Sequence, residues 1–110
     1  MTKEELAKIC LELDGAVEYY PFYPEFPVFK HSNNNKMFAM TFERDGLCIN
    51  LKCKPIEGDM LRQSVKGILP AYHMNKEHWI MVKPNEHDVP LELLRGLIKN
   101  SYELTKNKRY

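Results

Sequence analysis

The residues best equipped for chemistry crowd into positions 70–80, Pro70-Ala71-Tyr72-His73-Met74-Asn75-Lys76-Glu77-His78-Trp79-Ile80. Imidazole, ammonium, phenol, carboxamide and the only indole of the chain meet there. Imidazoles exchange protons near neutral pH, Lys and Asn donate hydrogen bonds to anions, and flat rings stack on ligands or pack into a core. A nucleophile is missing. Ser32, Ser64 and Ser101 lack a nucleophile-elbow context, the five glycines are scattered and form no phosphate loop, and no spacing pairs Cys48 or Cys53 with a histidine. His73 and His78 stand five apart, His31 and His87 are isolated, and no His-x3-His or Cys-x2-Cys pair occurs. The sequence therefore predicts a protein that is not an enzyme and holds no metal or cofactor.

Charge adds a direction. Residues 1–29 carry two basic against six acidic groups, net −4; residues 30–83 carry nine against five, net +4; the remainder is +1, as is the whole chain. The basic middle and the acidic first helix read either as a mixed solvated surface or as a mild anion-binding footprint.

These groups need elements to position them. Thr2-Lys3-Glu4-Glu5 has the capping-box form, and Leu6, Ile9, Cys10 and Leu13 follow at i, i+3, i+4, i+7. That spacing predicts a helix over residues 3–13, closed by Asp14-Gly15. Residues 16–27 hold Tyr19, Tyr20, Phe22, Tyr23 and Phe26 among three prolines, which forbid a regular helix. The rings either pack this segment onto the core or form a patch for stacking a base or a partner. Val28-Phe29-Lys30 begins a strand, residues 32–35 turn, and residues 36–42 alternate with Phe38, Met40 and Phe42 on one face. Arg44-Asp45-Gly46 signals a hairpin. Leu47, Ile49 and Leu51 then alternate with Cys48, Asn50 and Lys52, which turns the first set toward the helices and Asn50 and Lys52 away.

Pro55 opens a second helix, with Ile56, Met60, Leu61 and Val65 inward, Arg62 and Lys66 outward, and Gly67 as its stop. Tyr72, His73 and Trp79 are expected to hold the 70–78 loop against the sheet. Residues 78–83 form a fourth strand. Asp88-Val89-Pro90 opens a last helix striped by Leu91, Leu94, Leu97 or Ile98, and Tyr102, and the basic tail, residues 106–110, is expected to fray. The order α-β-β-β-α-β-α predicts an α+β fold, an antiparallel sheet with helices packed on it.

A chain of 110 residues is expected to form one domain, with 44% hydrophobic and 28% charged residues arguing against disorder. No apolar run approaches membrane-spanning length. Met1-Thr2-Lys3-Glu4-Glu5 has no apolar leader core, and three cysteines (Cys10, Cys48, Cys53) give no paired framework. A cytoplasmic protein with no membrane contact, and a monomer, is expected.

Three segments carry a family likeness: Val28-Phe29-Lys30 followed by Lys36-Met37-Phe38-Ala39; Ile49-Asn50-Leu51-Lys52-Cys53 with Pro55; and Tyr72-His73-Met74-Asn75-Lys76, His78-Trp79-Ile80 and Ser101-Tyr102-Glu103-Leu104. Together, over nearly the whole chain, they resemble the MmcQ/YjbR family of small bacterial proteins. The resemblance implies a fold like that of CyaY, the bacterial frataxin, with a twisted antiparallel sheet and helices over one face. It also implies DNA binding through a double-wing arrangement in which β-hairpin loops are the wings. The groups suited to backbone phosphates are Lys30, Lys36, Lys52, Lys54, Arg62, Lys66 and Lys76, with Asn50, His73, Asn75, His78 and Trp79 able to add hydrogen bonds or stacking. The alternative is a protein- or small-molecule-binding module centred on the loop from Tyr72 to Trp79.

Overall fold

Period-two alternation in the middle of the chain builds the sheet. In a computed structural model, which describes residues 1–106, β2 (Val28–His31), β3 (Met37–Glu43) and β4 (Leu47–Lys52) form the expected meander, and β6 (Trp79–Val82) pairs with β4. Two short strands missed by the pattern complete it: β1 (Ala16–Tyr19) and β5 (Ile68–Pro70). All neighbours are antiparallel in the order β1-β2-β3-β4-β6-β5. The helices α1 (Lys3–Leu11), α2 (Pro55–Ser64) and α3 (Leu91–Thr105) pack against one face. The fraying expected at residues 107–110 lies outside the described residues.

The helix-side core joins Leu6, Ile9 and Cys10 of α1 to Phe29, Leu47, Ile49, Leu51, Ile80 and Val82 of the sheet and Leu94, Ile98 and Tyr102 of α3. Leu47, Ile49 and Leu51 thus face the helices as alternation requires. The opposite face is not bare. Val28, Met40, Phe42, Cys48 and Met81 form a second buried cluster, roofed by Tyr19, Phe26, Met37, Leu69 and Tyr72. Asn50 lies within this face and is fully buried, which corrects its expected solvent exposure. Its amide is paired instead of solvated, as a buried polar group must be: Nδ2 donates to the Tyr72 carbonyl at 2.7 Å, and Oδ1 accepts from the Tyr72 N–H at 3.4 Å.

Phe38, Met40 and Phe42 do not share a face. Phe29 pairs with Ala39 and Lys30 with Met37, so Phe38 is the extra residue of a β-bulge. Phe38 and Ala39 both point to the helices, while Met40 and Phe42 join the second cluster. Ser101 of α3 repairs the ladder here. Its Oγ accepts from the Lys52 N–H at 2.8 Å and donates to the Phe38 carbonyl.

The first helix carries its capping box, with Glu5 N–H on Thr2 Oγ1 at 3.1 Å and Thr2 N–H on Glu5 Oε1 at 2.7 Å. It stops at Leu11, two residues early, before a turn in which Gly15 takes a φ of +74°. Asp88 does not cap the last helix; Pro90 holds that position, and Asp88 accepts from the N–H groups of Lys66 and Gly67 at the turn after α2. The second helix is rotated from expectation. Ile56 (77% exposed) and Met60 (62%) face outward, while Gly58, Leu61 and Val65 turn in. Gly58 is what permits this: a Cβ there would sit 3.2 Å from Ile80 Cγ2 and 3.3 Å from Arg62 Nη1.

His31 is buried at the end of β2, not in a loop, and only 3% exposed. Its ring lies 5.3 Å from Phe38 and 4.5 Å from Tyr102, and Nε2 shares a 2.8 Å hydrogen bond with Thr105 Oγ1. Burial holds its pKa below the ordinary 6.5; a backbone hydrogen bond at Tyr102 opposes that shift, Lys106 adds to it and Glu103 opposes it. The unfolded chain therefore takes up a proton near pH 6.5 that the folded chain resists. This contribution to stability is complete above that pH and is lost as pH falls through it toward the folded value. An NMR titration of the His31 ring should show a midpoint below 6.5; a midpoint at or above 6.5 would contradict the burial.

Candidate functional site

Antiparallel pairing sends the β2–β3 turn, the end of β4 and the start of β6 to the same end of the sheet. Lys36 leaves the turn, Lys52 ends β4, Lys54 precedes α2 and His78 precedes β6. These four residues line one notch of about 290 Å³, together with Cys53, Pro55, Leu104 and Thr105, and among the described residues no carboxylate lines it. Lys36, Lys54 and His78 are exposed and Lys52 is half-buried. Lys52 Nζ lies 6.0 Å from the centroid of the half-buried Trp79 ring, directly across the β4–β6 pairing. Among the described residues, the acidic contact within 4 Å of the four is Glu77, whose Oε1 is 3.9 Å from His78 Nε2. The arrangement suits an anion with several oxygen acceptors, such as a phosphodiester.

The other expected residues are dispersed. Lys30 lies on the face away from the helices, its Nζ 4.3 Å from the Tyr19 ring centroid. His73 is exposed with a left-handed φ of 60°, and its ring lies 3.9 Å from that of Tyr72. Asn75 builds the turn instead of reaching outward: its Oδ1 accepts from the Glu77 N–H at 2.8 Å. Lys76 is exposed in that same turn. Two candidates are withdrawn. Asn50 is buried in its bonds to Tyr72. Arg62 does not point outward; its side chain is 20% exposed, folded over Gly58, with Nη1 buried and Nη2 3.9 Å from Asp59. Lys66 is exposed but lies beyond the far end of α2 from the notch.

Pattern reading left Arg44 and Lys83 off the site. The Arg44 guanidinium lies 4.1 Å from the Tyr72 ring centroid, and Lys83 Nζ donates to the carbonyls of Arg44 and Asp45, both at 2.9 Å. The β3–β4 hairpin tip is thus clasped to the body of the protein, at the opposite end of the sheet from the notch. A second concavity, of about 270 Å³, opens on the face away from the helices between Phe22, Tyr23, Phe26, Met40, His73 and Met74. The density of rings in residues 19–26 is the signal for it; Phe26 is half-buried and packs toward Phe42, while Phe22 and Tyr23 are exposed. Among the described residues no group of three or more His, Cys, Asp or Glu side chains could hold a metal ion, and no helix is long and apolar enough to cross a membrane.

A six-stranded antiparallel sheet with three helices on one face and a lysine-lined notch at one end defines a small α+β domain. The chain belongs to the YjbR family, whose model matches residues 11–104. It is 41% identical to the uncharacterized protein YbdF of Escherichia coli O157:H7 over 92% of this chain and 81% of that one, and 35% identical to the uncharacterized protein YyaQ of Bacillus subtilis strain 168 over 96% and 99%. A crystal structure of a Deinococcus radiodurans protein, its domain named DUF419, superposes with a TM-score of 0.86 at 37% identity over 99% of this chain and 81% of that one. A crystal structure of a Pseudomonas syringae protein does so at 0.85 with 31% identity, over 96% and 100%.

Proposed function

We propose that the chain is a non-enzymatic nucleic-acid-binding protein that grips the sugar–phosphate backbone of DNA with the lysines at one end of its sheet. One observation carries the reading: Lys36, Lys52, Lys54 and His78, brought from separate segments, line a single notch that, among the described residues, no carboxylate lines. Lysines neutralise phosphates and release counterions, which supplies most of the affinity of sequence-independent binding. Lys76, exposed one turn away, extends the contact. The family's proposed wings are a poorer fit, because the β3–β4 hairpin tip lies at the opposite end of the sheet from this notch and carries one cation, Arg44. Three unpaired thiols suit a reducing cytoplasm, and we take the acting species to be a monomer.

Fluorescence anisotropy of a labelled oligonucleotide across several salt concentrations tests this. About three phosphate contacts give a log–log slope near −3, and each of Lys36→Ala, Lys52→Ala and Lys54→Ala should lower its magnitude by about one, whatever the sequence. An absence of saturable binding below roughly 100 μM at low salt would sink the proposal, since even non-specific binders reach that affinity. The rival reading, a protein- or small-molecule-binding module centred on the loop from Tyr72 to Trp79, draws its support from the apolar cleft beside that loop. It predicts no such salt slope.

A further inference from the structure

A chain of rings lines and backs the apolar cleft. Tyr23, Phe26, Phe42, Tyr72 and His73 form an unbroken chain of ring contacts, with successive centroids 5.7, 5.8, 5.5 and 3.9 Å apart. The middle of the chain is covered, but its two ends face each other across the opening. Tyr23 is 60% exposed and its neighbour Phe22 59%, and His73 stands opposite on the 70–78 loop. Among the described residues no carboxylate lines this cleft. The cations at its margins, Lys30 over Tyr19 and Arg44 over Tyr72, lie on the same face of the sheet. Met40 on its floor pairs with Asn50, two residues along β4 from Lys52. Strand geometry puts Met40 and Lys52 roughly 8 Å apart, so one oligonucleotide can reach both the notch and the cleft.

Resting on the nucleic-acid reading above, we infer that this cleft seats an unpaired base, so that the protein prefers single-stranded to duplex nucleic acid. Flat apolar walls flanked by cations are what a splayed-out base requires: the rings stack on its face whatever its identity, and the cations follow the backbone. A paired base in a duplex presents only its edge, so its ring faces cannot enter.

The test compares three probes at one salt concentration: a single-stranded thymidine oligomer, a duplex of the same length, and an abasic strand that keeps the phosphates but lacks bases. Phe22→Ala and Tyr23→Ala alter exposed side chains, so folding is expected to survive, and circular dichroism checks that it does. The expected result is tighter binding of the thymidine strand than of the duplex. Each substitution should weaken the single strand about tenfold, within the range of one base–aromatic stack, and leave duplex affinity and salt slope unchanged. The abasic strand should bind the parent protein as weakly as the thymidine strand binds the variants. Equal losses on single strand and duplex, or no loss on either, would overturn the inference while salt-dependent binding keeps the backbone reading. No salt-dependent binding of any probe would overturn both readings and leave the cleft to a small aromatic ligand.

Discussion

Phe38→Ala is expected to cost about 3–5 kcal/mol of unfolding free energy, the range for deleting a fully buried aromatic ring. Phe38 has no exposed surface and packs edge-on against Tyr102 at 5.4 Å and against His31 at 5.3 Å. It is also the residue at which β3 gains its bulge, so its ring fills the space between β3 and α3 that the bulge opens. A methyl group cannot refill that space, and the surrounding rings belong to two separate elements, β2 and α3, that relax only in part. Urea melts at matched m-values measure the loss. A change under about 1.5 kcal/mol would mean that α3 settles onto the sheet without the ring. The same variant lets water toward His31, so the His31 midpoint should move up toward 6.5.

Asn50→Leu is the second large loss, expected at about 2–4 kcal/mol. Leucine keeps the branched outline of asparagine but is bulkier, so the change combines the lost hydrogen bonds with some overpacking. It leaves the Tyr72 N–H and carbonyl without their partners inside a closed face, and each such orphan costs about 1–3 kcal/mol. Amide exchange separates this from a general softening. The Tyr72 N–H should be protected in the parent and exchange much faster in the variant, while amides in the β3–β4 ladder keep their relative order. Unchanged protection at Tyr72 would show that the Asn50 carboxamide does not hold the loop. Because Tyr72 backs His73 at the cleft and carries the Arg44 guanidinium, this variant should also loosen single-strand binding more than duplex binding.

How far such features are visible in the sequence depends on what decides them. The capping box, the Arg44-Asp45-Gly46 hairpin and the alternation of Leu47, Ile49 and Leu51 are local, and each was legible. The strand β1 was hidden because it is four residues long and its pairing partner lies beyond the proline-rich segment. The bulge at Phe38 was hidden because two adjacent residues sharing a face is a property of pairing, and nothing in Lys36-Met37-Phe38-Ala39 shows it. Asn50 looked solvent-facing because alternation assigns a face without saying whether another segment roofs that face. Helix α2 offered two competing stripes. Ile56 and Met60 were the more apolar, but Gly58, Leu61, Arg62 and Val65 form the inward one, since only a glycine admits Ile80 so closely. Of the basic candidates, those beside turns at one end of the sheet could be grouped once the strand order was known. Arg62 could not, since its fate followed the rotation of its helix.

Cys10 and Cys48 are fully buried and Cys53 nearly so, and burial pushes all three thiols up, Cys10 to about 12. The thiolate is the species that attacks an alkylating reagent, so in the folded molecule the reagent meets almost none, and labelling waits on transient opening. The three positions then time three different events: departure of α1 for Cys10, uncovering of the aromatic face for Cys48, and lifting of α2 for Cys53. A mass spectrometer following alkylation would thus obtain a map of which layer breathes first from atoms the protein already carries.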